Sequence, residues 1–242
     1  MQRPNCLAMI PARGGSKRIP RKNVKSFCGK PMIRYSIDAA IGSGCFSEIM
    51  VSTEDSEIAD IARAAKASIP FMRSAQNADD HSTLTDVMRE VLIEYQKRNQ
   101  TFDYFCCILS TAPMIKPERI RQGFELITSR PEAESLFTVM RFGFPIQRAF
   151  KITENGLLQM IWPENFNVRS QDLPPSFQDA AQFYWAKPDA ILSGKAILNE
   201  NTLALEIPES EAQDIDTEED WRVAELKYRL LNESQFAADR IV

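Results

Sequence analysis

The chain has 242 residues, 44% hydrophobic and 26% charged, with a formal net charge of −4. That length suits one large domain. No apolar run approaches the roughly 20 residues that a membrane span needs, and nothing at the start resembles a signal peptide. Seven cations (Arg13, Lys17, Arg18, Arg21, Lys22, Lys25 and Lys30) fall within eighteen residues with no acidic residue among them, so the rest of the chain is strongly acidic. A basic focus on an acidic body suits a small anionic ligand and not nucleic acid, which needs a broad positive face.

In chain order, Cys6–Ile10 is an apolar run of the length of a buried parallel strand. The turn behind it, Ala12-Arg13-Gly14-Gly15-Ser16-Lys17 through Lys22-Asn23, is the most informative stretch. Two glycines let the backbone turn sharply and present successive N–H groups to an anion. A plain basic surface loop would have the same composition. Position favours the cradle, because open α/β sheets bind ligands beyond the carboxyl ends of their strands. Neither G-x-x-x-x-G-K-[ST] nor G-x-G-x-x-G is present, which excludes a common P-loop and argues against a dinucleotide-dependent dehydrogenase.

Pro31 marks the start of a helix with Ile33, Ile37, Ala40 and Ile41 on one face, ended by Gly42 and Gly44. A strand at Ile49–Val51, a helix over Ser56–Lys66 and a strand over Ser68–Met72 follow. A polar loop from Ser74 to Thr83 leads to a helix bearing Leu84, Val87, Val91 and Tyr95. Tyr104–Leu109 is almost wholly apolar, hence a strand buried on both faces. A helix from Pro117 to Ile127 and a strand at Ser135–Val139 complete an alternating pattern. It predicts βαβ units and an α/β, Rossmann-like, doubly wound and mostly parallel sheet in a single domain.

The pattern breaks between Arg141 and Gln182. Glu154-Asn155-Gly156 between two apolar triplets predicts a β-hairpin. Phe144, Phe150, Met160, Ile161 and Trp162 then need cover, expected from a second subunit. Phe183-Tyr184-Trp185 returns to the sheet. A last helix after Asp216-Thr217 carries Trp221, Ala224, Tyr228 and Leu231. The five cysteines (Cys6, Cys28, Cys45, Cys106, Cys107) show no C-x-x-C spacing, and a reduced, cytoplasmic compartment is the simplest expectation.

Asp214 and Asp216 flank Ile215. In an extended segment they point to one side and can share a hard cation such as Mg²⁺. Asp216 or Thr217 could instead cap the last helix, with Glu219 or Asp220 completing the box; capping does not account for Asp214. His81, the sole histidine, lies in a polar loop whose neighbouring residues suit N-capping or hydrogen bonds to a bound base or sugar, and a catalytic role for the histidine itself stays open. Ser110-Thr111-Ala112-Pro113 follows the strongest strand, where its hydroxyls can meet a ligand. Arg169 to Pro174 and Phe177 to Trp185 mix polar and aromatic groups that suit a carboxylate-bearing sugar, arginine offering a planar fork. A twisted edge strand would carry the same mix.

Together these residues resemble the CMP-sialic acid synthetase family of cytidylyltransferases over nearly the whole chain. The resemblance rests on Ile10-Pro11-Ala12-Arg13-Gly14-Gly15-Ser16-Lys17 with Lys22-Asn23, on Val51-Ser52-Thr53-Glu54-Asp55, on Thr111-Ala112-Pro113 and on Asp214-Ile215-Asp216-Thr217. Arg169-Ser170-Gln171-Asp172-Leu173-Pro174 and Asp179-Ala180-Ala181-Gln182-Phe183-Tyr184-Trp185 are similar to its pseudaminic acid branch, as is Leu109 where neuraminate enzymes place Gln. The chain departs from that branch at Gln178, where His is expected, and at Ala181, where Gly is expected. The resemblance implies a nucleotide-diphospho-sugar transferase fold whose hairpin insertion (141–182) serves dimer contact and reaches a neighbour's site. It implies that CTP and a nine-carbon acidic sugar give a CMP-sugar and diphosphate. Arg13, Lys22 and Asp216 are then expected to act in catalysis. Ala12, Arg13, Gly14, Gly15, Ser16, Lys17, Lys22, Asn23, Thr83 and Thr111 would hold the nucleotide. Arg169, Gln171, Gln178, Gln182 and Tyr184 would hold the sugar, and Asp214 and Asp216 would hold Mg²⁺. Other acid sugars (neuraminate, legionaminate or Kdo) and a catalytically silent nucleotide-binding protein of the same fold remain as alternatives.

Overall fold

A computed structural model describes residues 3–78, 82–194 and 196–233. Its strands are β1 (Cys6–Pro11), β2 (Ser26–Phe27), β3 (Lys30–Pro31), β4 (Glu48–Ser52), β5 (Tyr104–Ile108), β6 (Ser135–Arg141), β7 (Phe150–Ile152), β8 (Leu158–Met160), β9 (Phe177–Ala186) and β10 (Thr202–Glu206). Its helices are α1 (Met32–Ser43), α2 (Ser56–Ala64), α3 (Leu84–Gln96), α4 (Pro117–Thr128), α5 (Pro188–Leu192) and α6 (Glu218–Leu231).

Six strands form one sheet in the order β10-β6-β9-β5-β1-β4. β1 pairs in parallel with β4 and β5, and β10 in parallel with β6, while β9 runs antiparallel between β5 and β6. The apolar runs of β1 and β5 are buried because helices cover both faces of the sheet. On one face Ile33 and Ile37 of α1, Ile58 and Ala62 of α2, and Ile120 and Ile127 of α4 pack on the sheet. On the other, Val87, Met88 and Val91 of α3 and Ile191 of α5 do so. The sheet is doubly wound, as the alternation of strands and helices predicts.

Pro31 stands at the N-cap of α1, one residue before the helix, and Gly44 ends it with a left-handed φ of 62°. The strand expected over Ser68–Met72 does not form. Ser68 alone bridges β4, opposite Met50, and Pro70 two residues on has no N–H with which to continue the ladder. Residues 177–182, read with the insertion, are the first half of the long strand β9. The hairpin itself is present as β7 and β8, with Ile152 opposite Leu158.

Direction matters more than order for the site. With β9 reversed, its first residues emerge at the same edge of the sheet as the carboxyl ends of β1, β4, β5, β6 and β10. The segment from β10 to α6 therefore crosses that edge, which brings 214–216 to the turn behind β1.

Candidate active site

Beyond Pro11 the chain stays beside β4: the Ala12 N–H donates to the Ser52 carbonyl at 2.9 Å. The loop then lies against Glu54 and Asp55. The Gly14 N–H donates to Glu54 Oε1 at 2.7 Å, and a Cβ on Gly14 would sit 2.5 Å from Asp55 Oδ2. Neither Gly14 nor Gly15 has the left-handed φ expected of a glycine turn. Gly14 is needed for close approach to a carboxylate, and Gly15 faces open space. The Gly14 amide, expected to serve the nucleotide, is spent on Glu54.

The seven cations divide in two. Arg21, at φ 55°, turns away to Asp55 (2.5 Å) and Glu57. Lys25 pairs with Glu218 at 2.7 Å and Lys30 with Asp38 at 3.4 Å. The other four, Arg13, Lys17, Arg18 and Lys22, line a cleft of about 490 Å³ together with Ser16 and Asn23. Ser110 and Thr111 from the loop after β5 close one side, and Arg73, Asn77 and Ser82 another. Asn23 is a brace: its amide donates to the Arg13 carbonyl at 2.9 Å, and its carbonyl accepts from the Ser110 hydroxyl at 2.8 Å. The loops after β1 and β5 are thereby locked together.

Lys22 and Asp216 meet. Lys22 Nζ is 2.5 Å from the Ile215 carbonyl and 3.7 Å from Asp216 Oδ1, and Arg18 pairs with the same carboxylate oxygen at 2.8 Å. Burial pulls the Lys22 ammonium below its ordinary pKa, more strongly than Asp216 and Asp214 push it up. Ile215 is fully buried, which anchors the segment and leaves the two flanking carboxylates on the opposite side. The Asp214 carboxyl is raised above its ordinary range, first by desolvation and then by the charge of Asp216, with Lys22 acting the other way.

The capping alternative resolves in favour of Thr217. Its hydroxyl accepts from the Asp220 N–H at 3.2 Å, and Asp220 accepts in return from Thr217 and from the Asp216 N–H. Neither the Asp214 nor the Asp216 side chain is used in the cap. Two oxygen-donor carboxylates beside a cleft for an anion fit Mg²⁺, which takes one or two protein carboxylates and completes its shell from substrate and water. Among the described residues there is no cluster of three or more metal-ligating side chains, so a larger protein cage is not on offer there.

Thr83 is placed differently from the expectation. Its hydroxyl caps α3 in a box with Asp86, and the neighbouring Ser82 lines the cleft instead. His81 lies outside the described residues. The proposed sugar residues are scattered. Gln182 is 2% exposed, and its amide donates to the Glu211 carbonyl at 2.5 Å. Tyr184 is buried and donates to Asp179 at 2.6 Å, so it braces β9 and lines neither the cation-lined cleft nor the one beside the insertion. Gln178 is half-buried opposite Met140. Arg169 is exposed and paired with Asp172 at 3.2 Å. Gln171 lines that second cleft, also about 490 Å³, with Arg141, Glu206 and Glu209.

Arg73 is the residue that sequence reasoning missed. It is nearly buried, its guanidinium held by the Ser52 hydroxyl (3.0 Å) and carbonyl (2.5 Å). Burial lowers its pKa, opposed first by the charge of Glu54. The available signal was an arginine directly after the apolar pair Phe71-Met72, since a cation placed there is set on the edge of a core.

A doubly wound sheet with one reversed strand, and a cation-walled cleft over its carboxyl edge, define an α/β nucleotidyltransferase of the nucleotide-diphospho-sugar type. The chain belongs to the cytidylyltransferase family, whose model matches residues 7–203. It is 38% identical to a pseudaminic acid cytidylyltransferase of Campylobacter jejuni, over 95% of this chain and 99% of that one. It is 34% identical to a CMP-N,N′-diacetyllegionaminic acid synthase of Legionella pneumophila, over 94% and 98%. Among solved structures, a CMP-2-keto-3-deoxy-manno-octonic acid synthetase complexed with CTP superposes with a TM-score of 0.68. That match covers 95% of this chain and 99% of the other at 18% identity, a likeness of fold.

Proposed function

We propose that this chain activates a nonulosonic acid, pseudaminic acid, by transfer of CMP from CTP with release of diphosphate, for surface or flagellar glycoconjugates. The carrying observation is the meeting of Lys22 and Asp216 at 3.7 Å beside the cation-lined cleft. It supports a polyphosphate site with a carboxylate pair beside it. The identity with relatives named for pseudaminic acid supports the choice of sugar.

Arg13, Lys17 and Lys22 bind the triphosphate, with Ser16 and the Gly15 amide assisting. Their charge, fixed in advance by the Asn23 brace, neutralises what develops on the leaving diphosphate. Asp214 and Asp216 would hold Mg²⁺, which when bound supplies positive charge at the α-phosphate and acidifies a nearby hydroxyl. Lys22 holds Ile215 by its carbonyl and so fixes where the two carboxylates stand. Arg169 and Gln171 meet the sugar from the insertion of a second copy in a homodimer. The chemistry is mainly positioning: the anomeric hydroxyl must approach the α-phosphorus in line with the departing oxygen. No helix among the described residues is long and apolar enough to cross a membrane.

The test is diphosphate release with CTP, Mg²⁺ and a panel of pseudaminate, neuraminate, legionaminate and Kdo. Pseudaminate is expected to give a kcat/KM at least tenfold above the others. Equal or greater turnover of another sugar overturns the assignment, and CTP binding without turnover of any sugar favours the silent protein.

A further inference from the structure

Glu54 stands just beyond β4, half-buried, and takes part in none of the contacts assigned above to CTP or sugar. Its two oxygens are unlike. Oε1 accepts from the Gly14 N–H at 2.7 Å, while Oε2 is buried with no hydrogen-bond partner among the described residues. An interior carboxylate oxygen without a hydrogen bond is unfavourable; the charge of the buried Arg73 guanidinium, which Glu54 in turn supports, offsets part of that cost. Around it the loop is fixed by contact and not by its own conformation. Gly14 abuts Asp55, and Asp55 both pairs with Arg21 and accepts from the Ile58 N–H at 3.0 Å to start α2. Ala12 is tied to Ser52. Between Ala12 and the Asn23 brace, the bond to Glu54 holds the amide at the start of the Gly-Gly step, the most pliable point of the loop, whose Gly14 carbonyl accepts in turn from the Ser16 N–H at 3.1 Å.

We propose that Glu54 is a positioning residue for the nucleotide loop: by holding the Gly14 N–H it sets Arg13, Ser16 and Lys17 in place before CTP arrives. The inference rests on the CTP reading of the cleft. A loop ordered in advance does not have its backbone freedom withdrawn on binding. The sign of the effect is diagnostic. As a mere negative charge near a polyphosphate, Glu54 would weaken CTP binding, and its removal would tighten it. As a tether, it strengthens binding although its charge opposes it.

Two conservative variants separate reach from charge. Glu54→Gln keeps an oxygen at the same distance and loses the charge. Glu54→Asp keeps the charge and withdraws the oxygen by one methylene. Calorimetric titration of the full chain with CTP, together with hydrogen exchange of the peptide spanning 12–18, reads both. The expected order is Gln within about twofold of the wild type or tighter, and Asp weaker by roughly tenfold with faster exchange in the loop. An Asp variant that binds like the wild type, or a Gln variant as weak as Asp, overturns the proposal while leaving the cytidylyltransferase reading standing. A wild-type chain that does not bind CTP removes both.

Discussion

Ala181 has a backbone that alanine rarely adopts. Its φ is 51°, in the left-handed region, where a side chain's Cβ costs about 1–2 kcal/mol. The pairing of β6 with β9 slips here, from Phe137 opposite Tyr184 to Val139 opposite Asp179. Asp179 secures the irregularity by accepting from the Ala181 N–H at 2.8 Å and from the Tyr184 hydroxyl at 2.6 Å. The resemblance to the pseudaminic branch leads one to expect glycine at this position, and the φ gives the physical reason. Ala181→Gly removes the Cβ strain, offset by the greater freedom of glycine in the unfolded chain, about 0.5–1 kcal/mol. The expected result is a gain of up to about 1 kcal/mol in urea unfolding. A loss of stability would show that Ala181 is held without strain.

The segment between β10 and α6 shows how one element can serve the fold and the site at once. Glu211, nearly buried, pairs with Lys116 at 2.9 Å and with Arg119 at 2.9 Å, both from the start of α4. Lys227 of α6 donates to the Glu209 and Ala212 carbonyls. The backbone that carries Asp214 and Asp216 is therefore held by contacts that involve neither carboxylate. Asp216→Asn is expected to abolish diphosphate release while the thermal midpoint stays within about 3 °C. Its nearer partner Arg18 is largely exposed, and such ion pairs contribute about 0–1 kcal/mol, while Lys22, at 3.7 Å, keeps its bond to the Ile215 carbonyl. Full turnover with Mg²⁺ present would remove the metal assignment.

Much of this arrangement is legible in the residues themselves. The buried strands announce themselves by unbroken apolar runs, and the acidic pair by a spacing of two around a single isoleucine. The strand β10 escapes because Thr-Leu-Ala-Leu-Glu is short and mixed in polarity. Thr83 and Gly14 have backbone and side-chain partners within the chain that their residue types do not reveal. A hydroxyl or an amide can serve a ligand or the chain's own backbone, and only the presence of Asp86 or Glu54 in space decides which. The sugar residues were least legible, since Gln182 and Tyr184 look polar in sequence yet sit in the middle of a two-sided sheet.

Taken as a whole, the molecule carries its polar chemistry at one edge and an uncovered apolar projection beside it. Every residue of β7, and Leu158 in β8, is exposed, and so are Phe144, at 88%, and Phe166. A two-stranded hairpin is marginal by itself in water. Ile152 and Leu158, opposite each other across it, present an apolar surface that a second copy would cover in the proposed homodimer. The same association would deliver Arg169 and Gln171, which do not line the cleft of Arg13 and Lys22 in one chain, to the cleft of a neighbour. Ile152→Glu with Leu158→Glu places charge on that surface. In sedimentation, the wild type is expected to run as a dimer and the double variant as a monomer. The monomer should bind CTP with unchanged affinity, because Arg13, Lys17 and Lys22 come from one chain, yet show a KM for the sugar raised at least tenfold. A wild type that sediments as a monomer at assay concentration and turns over at full rate would show that the hairpin has another use. A monomeric variant with an unchanged sugar KM would confine the insertion to assembly and return the sugar site to the single chain.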